Sequence, residues 1–298
     1  MAEAWKLTAF GSKARIEAAL VAQELAADWD DDIGFAGFEV AEDRPDEWRL
    51  DVYLPRRPNA TDRRAIDGLF AGKAPRFRAE QLPDSDWVTE SQKGIEPIRA
   101  GRFHVRTPDH PAEANGIDLM IPASQAFGTG QHATTAGCLI MLERMRREGL
   151  LPRNLIDVGT GTGLLAFAAR ELWPRTLVTA SDIDPVCETV VAENAGLNAV
   201  PLGGRHGQVL MTIADGMDDA LLRARGPYDL LIANILARPL IEMAPDFARA
   251  VLPGGSVVLA GLLTTQEAEV RRAYRLRGLR LARRLVRGDW SILWLRRR

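Results

Sequence analysis

Two short runs, NLIDVGTGTG at Asn154–Gly163 and SDIDP at Ser181–Pro185, constrain this chain more than any other part of it. The first reads as an apolar strand (Leu155, Ile156, Val158) that enters a glycine turn and continues into the helical pattern LLAFAARELW. The second ends another strand, LVTAS, and delivers Asp182 at its tip, 23 residues after Gly159. That order is a βαβ unit with a glycine-rich first turn and an acid at the end of its second strand. Such a unit holds a nucleoside: backbone comes close to the ligand at the glycines, and the carboxylate accepts from the two ribose hydroxyls.

The glycines also say which nucleoside fits. A dinucleotide fingerprint is G-x-G-x-x-G, with the helix N-terminus aimed at a pyrophosphate. Here the glycines are Gly159, Gly161 and Gly163, and Leu164 holds the dinucleotide motif's third position. Asp157 stands just before the turn, where a carboxylate opposes a pyrophosphate but can face a cation. S-adenosylmethionine carries a sulfonium and an ammonium and no phosphate, so D-x-G-x-G-x-G suits it better.

Composition excludes several other classes. Hydrophobic residues make up 46% and charged residues 26% of 298 positions, ordinary values for a globular chain with ample core. Cys138 and Cys187 form neither a metal-ligand spacing nor a disulfide framework, and both fall in helical patterns, so buried thiols and no metal are expected. The start, MAEAWKLTAF, lacks a basic region followed by an apolar run, and no stretch reaches the ~18 apolar residues of a membrane span. The expectation is a soluble cytoplasmic protein with no membrane partner.

Charge is unevenly placed. Residues 1–90 hold 19 acidic and 12 basic side chains, whereas residues 271–298 hold eleven arginines against one acid, Asp289. With four lysines and 34 arginines in the whole chain, the basic tail reads as a solvated helix and strand, and direct nucleic-acid binding is not expected.

Three regions follow. Residues 1–80 read as strand, helix, strand, strand, helix, strand, with RPDE as the hairpin turn. That βαββαβ order gives a ferredoxin-like sandwich, and without clustered catalytic residues it reads as a substrate-recognition domain. Residues 81–112 are polar and proline-spaced, a linker with a short helix at DWVTESQKG. From 113 to 298 strands alternate with helices, which argues an α/β doubly wound, Rossmann-like parallel sheet closed by an antiparallel hairpin at the edge. Asp184 and Pro185 sign one helix start, and Thr264 with Glu267 reads as a capping box at another.

With these elements placed, the chain resembles the PrmA family, the methyltransferase of large-subunit ribosomal protein eleven, across nearly its whole length. The resemblance rests on AFGTGQHATT (Ala126–Thr135), LIDVGTGTGLLAFAA (Leu155–Ala169), SDIDP, ANIL (Ala233–Leu236) and LPGGSVVLAGLL (Leu252–Leu263). It implies a class I methyltransferase using S-adenosylmethionine and a ribosomal large-subunit protein as partner, modified at lysine side chains and the N-terminal amine. Carried over motif by motif, the cofactor contacts fall on Thr135, Gly159, Asp182 and Asn234, with Gly161 beside them in the turn. Gln131, Ala133 and Thr160 depart from the family's usual threonine, proline and small residue. Two alternatives remain: a lysine methyltransferase with another target, such as the electron-transfer flavoprotein beta subunit, or a non-catalytic nucleoside-binding, ribosome-associated module.

Methyl transfer from a sulfonium needs alignment and exclusion of water more than acid–base help at carbon. The amine, however, must be neutral. Removing a proton from lysine at pH 7 costs about 4–5 kcal/mol, and from an α-amine about 1 kcal/mol. Asn234 falls at a strand's C-terminal end, where open α/β sheets bind ligands, and its amide oxygen can accept the amine's hydrogens; it is the expected catalytic residue. A local side-chain turn ending the strand is the plainer account of the same asparagine. Thr134 or Thr135 would cap the following helix, His132 reads as a hydrogen-bonder of the loop, and Asp215 as a turn residue able to reach the adenine amine.

Overall fold

The computed structural model describes residues 4–24, 26, 29–30, 33–40, 44, 46–81, 96–122 and 131–298. They form two compact units, divided between Ser91 and Gln92.

The first unit runs β1 (Trp5–Ser12), α1 (Lys13–Glu24), β2 (Gly34–Glu39), β3 (Glu47–Leu54), α2 (Ala60–Gly68) and β4 (Arg78–Gln81). Its sheet has the order β2-β3-β1-β4 with every neighbouring pair antiparallel, the expected ferredoxin-like arrangement. Alternation along β1 and β3 turns Leu7, Leu50, Val52 and Leu54 inward, onto Ile16 and Ile66 of the two helices. The helix α2 starts at a capping box. Asn59 accepts from the Thr61 and Asp62 amides, and Asp62 accepts from the Asn59 amide.

The second unit begins earlier than the linker reading of 81–112 placed it. Ile98–Ala100 (β5), Phe103–Arg106 (β6) and Ile117–Met120 (β7) form a three-stranded sheet in the order β5-β6-β7. Ile98, Ala100, Phe103, Val105 and Leu119 are buried in the same cluster as Leu139 and Leu142 of α3 (Gln131–Arg147), so residues 98–106 are packed structure, not connector. Strands of three or four residues bury only two or three apolar side chains, too few to show an alternation. The short helix expected over 86–94 lies outside the described residues.

The main sheet contains β8 (Asn154–Val158), β9 (Leu177–Asp182), β10 (Val209–Ile213), β11 (Tyr228–Asn234), β12 (Val251–Leu263), β13 (Leu279–Arg287) and β14 (Trp290–Arg297), in the order β10-β9-β8-β11-β12-β14-β13. Alternate residues serve opposite faces. Leu230 and Ile232 enter one core, and Leu231 and Ala233 enter the other, which is what a sheet covered on both sides requires. Fully burying a leucine or isoleucine side chain stabilises by about 1.5–3 kcal/mol. The closing hairpin is antiparallel and forms one edge of the sheet, as expected. Its second strand, β14, inserts between β12 and β13.

The predicted capping box at Thr264 and Glu267 does not form. The helix Glu267–Arg275 starts without a side-chain cap. Glu267 is buried instead, taking Arg284 at 2.6 Å, Arg271 at 3.2 Å and the Ser291 hydroxyl at 2.8 Å. Burial alone would raise its pKa, but these partners outweigh it and hold the carboxyl below its ordinary range.

Candidate active site

The strand order reverses between β8 and β11, the position where open α/β sheets bind ligands. The site is built from the C-terminal tips of β8, β9 and β11 and the start of α3.

At the tip of β8 the chain turns through three glycines of positive φ, Gly159 (69°), Gly161 (55°) and Gly163 (83°). Only glycine enters that region without cost. Close packing imposes two of them again. A Cβ at Gly159 would come within 2.3 Å of Ile235 Cγ2, and one at Gly163 within 2.7 Å of the Phe167 ring. Gly159 is therefore needed chiefly because Ile235, the residue after Asn234, packs on the turn. That contact brings the ANIL segment against the glycine motif.

Asp182 stands opposite. Its Oδ2 accepts the Gly161 amide at 2.8 Å, and its Oδ1 accepts the Asp184 amide at 3.1 Å. Asp184 in turn accepts the Val186 amide at 2.9 Å just ahead of α5 (Val186–Leu197; α4 is Leu164–Leu172), one residue before Pro185, which takes the N-cap position expected of Asp184. Cys187 lies behind Asp182. Burial first, then the Asp182 charge, push its thiol up to about 12, so it is a neutral buried group.

Thr135 is buried at the start of α3, and Asn234 Nδ2 donates to its hydroxyl at 3.5 Å. With Nδ2 turned to Thr135, the amide oxygen of Asn234 is left as an acceptor. The five candidate residues thus fall into two contacting sets, Gly161 with Asp182 and Thr135 with Asn234, and Gly159 joins them through Ile235. Ala126–Gly130 of the AFGTGQHATT motif and the side chains of Gln131 and His132 lie outside the described residues. Asp215 is exposed and its carbonyl accepts the Asp218 amide, as its turn reading requires.

Asp157, expected from its place before the turn to face a cation, is instead enclosed by the protein. It is fully buried below the turn, where Oδ2 accepts the Thr160 hydroxyl at 2.7 Å and the Ala166 amide at 3.1 Å. Its Oδ1 has no partner among the described residues. Burial is the main cause that raises its pKa to about 7; Thr160 and Ala166 oppose the rise and the Asp182 charge adds to it. Because the folded pKa lies above the unfolded value, this proton stabilises the fold fully below about pH 4, and the contribution is lost as pH rises through about 7. Asp157→Asn should therefore gain stability relative to wild type between pH 5 and 7, by at most about 1.4 kcal/mol per pH unit. Denaturant titrations of both proteins at several pH values check this; a constant difference would assign the titration elsewhere.

Among the described residues no group of three or more His, Cys, Asp or Glu side chains is arranged to hold a metal ion, and no helix is long and apolar enough to cross a membrane.

The family model for ribosomal protein L11 methyltransferase (PrmA) matches residues 12–298. This chain belongs to that family. The ribosomal protein L11 methyltransferase of Agrobacterium fabrum is 40% identical over 280 residues, covering 92% of this chain and 93% of that protein. The one from Brucella melitensis biotype 2 is 39% identical over 269 residues, 90% of each. A crystal structure of the ribosomal protein L11 methylase from Lactobacillus delbrueckii subsp. bulgaricus superposes with a TM-score of 0.55 at 26% identity, over 69% of this chain and all of that one (100%). In the L11 methyltransferase family frame, the doubly wound sheet with its switch point at β8 and β11 is the methyltransferase core.

Proposed function

We propose that this chain transfers methyl groups from S-adenosylmethionine to amino groups of ribosomal protein L11, both lysine side chains and the N-terminal amine. Family membership supports methylation of that protein. The observation that carries the chemistry is the paired arrangement at three neighbouring strand tips, an Asp182-braced glycine turn beside an Asn234 whose amide oxygen has no partner among the described residues.

The residues present suit a sulfonium nucleoside. The turn offers no run of free amides for a pyrophosphate, because the Gly161 amide is given to Asp182 and the Gly159 and Thr160 amides to the Ser181 carbonyl. The carboxylate of Asp182 at the mouth of the turn opposes a phosphate there. Asp182 would hold the ribose hydroxyls, Gly159 and Gly161 the backbone side of the ligand, and Thr135 its near edge. When bound, S-adenosylmethionine supplies an electrophilic methyl carbon on a sulfonium leaving group. Asn234 then orients the nucleophile. Its oxygen accepts a hydrogen from the neutral amine and fixes the direction of the lone pair, an alignment worth more than any acid–base step here. Withdrawal from water is what disfavours the ammonium, and a neutral amide oxygen restores less of its lost hydration than a carboxylate would.

Substrate recognition is assigned to the first unit, whose acidic balance suits a basic ribosomal protein. The test combines purified L11 with labelled S-adenosylmethionine and maps the label by peptide mass spectrometry. Label confined to lysine and the N-terminal amine supports the reading; no label on L11 overturns it. In the same assay residues 92–298, a compact unit by themselves, should retain cofactor binding but lose methylation of intact L11 at least 100-fold. Undiminished methylation by the truncated chain would remove the recognition role.

A further inference from the structure

The glycine turn is held from three sides, and the third involves a residue outside every motif. Asp157 takes the Thr160 hydroxyl from β8, and Asp182 takes the Gly161 amide from β9. The remaining peptide of the turn presents its Thr162 carbonyl to the interior. Asn194 Nδ2, on α5, donates to it at 2.9 Å. Asn194 is only 4% exposed. An asparagine at a buried helical position has poor propensity and must be desolvated, so it stabilises only while its partner is in place.

One helical turn later, Asn198 makes a second set of contacts. Its Oδ1 accepts the Met120 amide at 2.7 Å, and its Nδ2 donates to the Met120 carbonyl at 2.8 Å. Both backbone polar groups of the last residue of β7 are thus taken by one side chain. The same Nδ2 lies 2.8 Å from the Asn194 carbonyl, which also accepts the Asn198 amide at 3.1 Å. The next residue, Ala199, has φ 50°. A non-glycine residue in the left-handed region carries strain, and here it is held where the helix stops with Asn198 directed at β7.

We propose that Asn194 and Asn198 are positioning residues that lock the glycine turn and the end of β7 to one helix end, so that the cofactor cradle is formed before ligand arrives. Neither touches the reacting atoms. Asn194 acts through Thr162 and the flanking glycine peptides, and Asn198 acts by bracing Asn194 and fixing β7. The inference rests on the reading of that turn as the S-adenosylmethionine site.

A preformed cradle shows itself in ground-state binding. Asn194→Ala should weaken S-adenosylmethionine about 10-fold in both Kd and KM, while kcat at saturating cofactor stays within about 2-fold, as expected when a lost interaction serves substrate and transition state alike. Asn194→Asp, which keeps the shape but removes the donor, should lose at least as much. Asn198→Ala should weaken binding about 3-fold, and the double variant should lose less than the product of the two, since the residues act in series. All are measured well below the melting temperature of the least stable variant. Lower melting temperatures with unchanged Kd and KM would reduce both residues to structural parts and overturn the proposal.

Hydrogen exchange in the ligand-free protein separates this from the functional reading. The Gly161 and Gly163 amides should exchange faster in Asn194→Ala, and the Met120 amide faster in Asn198→Ala. If those rates match wild type, the turn is not held by the asparagines, whatever the cofactor. If they rise but the wild-type protein binds no S-adenosylmethionine, it is the assignment of the site that falls.

Discussion

Replacing Asp182 by alanine is expected to weaken S-adenosylmethionine binding about 100-fold or more. Two losses combine. The carboxylate's charge-assisted bonds to the ribose hydroxyls go, each worth about 1.5–3 kcal/mol, where about 1.4 kcal/mol is a factor of ten. The Gly161 amide also loses the acceptor that sets the turn. Asp184→Ala is the control. Its carboxylate accepts the Val186 amide just ahead of α5 and points at no candidate ligand contact, so its removal should cost about 1 kcal/mol of stability and little affinity. Calorimetric titration of both variants distinguishes the roles, and equal losses of affinity would move the ribose contact off Asp182.

Asn234→Ala should act on the other term of the rate. A loss of roughly 100-fold in turnover at saturating cofactor corresponds to about 2.7 kcal/mol of transition-state stabilisation. Affinity should fall less, because the amide's ground-state contact is one long hydrogen bond to Thr135 at 3.5 Å, whereas orientation of the amine is realised fully only as the methyl group moves. Single-turnover methylation with saturating cofactor, paired with direct binding of the same variant, reads both. Should binding collapse while the saturated rate stays normal, Asn234 is a cofactor ligand and the amine is aimed by another group.

The parts of this site that were legible in the sequence are those written locally. Gly161 and Asp182 are 21 positions apart, and the strand, turn, helix and strand pattern puts the turn and the acid at neighbouring strand tips, though not the bond between them. Thr135 and Asn234 are 99 positions apart; only the resemblance joined them, because no period in the sequence spans that separation. Asn194 and Asn198 escaped notice for a different reason. A polar residue in a helix is normally read as solvent-facing, and the hint lay in two poor helix formers spaced four apart beside buried Val191 and Ala195. The two-sided main sheet was plain from long apolar runs, whereas β5 and β6 were too short to register. The false capping box at Thr264 has the same root. Glu267 satisfies a local pattern, but Arg284 and Ser291, brought to it by sheet pairing, bind it more strongly.

The insertion of β14 between β12 and β13 also governs the order in which the molecule can be completed. Chain made on the ribosome emerges from its N-terminus, and the first unit closes its own four-stranded sheet with Arg78–Gln81. The second unit cannot do so. Until Trp290–Arg297 is out, β12 has a bare flank and β13 has no neighbour, since each pairs with β14 and not with the other. A strand flank without its partner is the kind of edge that invites pairing with other chains. The edge of the large sheet is thus the last part of the chain to find its partners, after every strand that carries the candidate site.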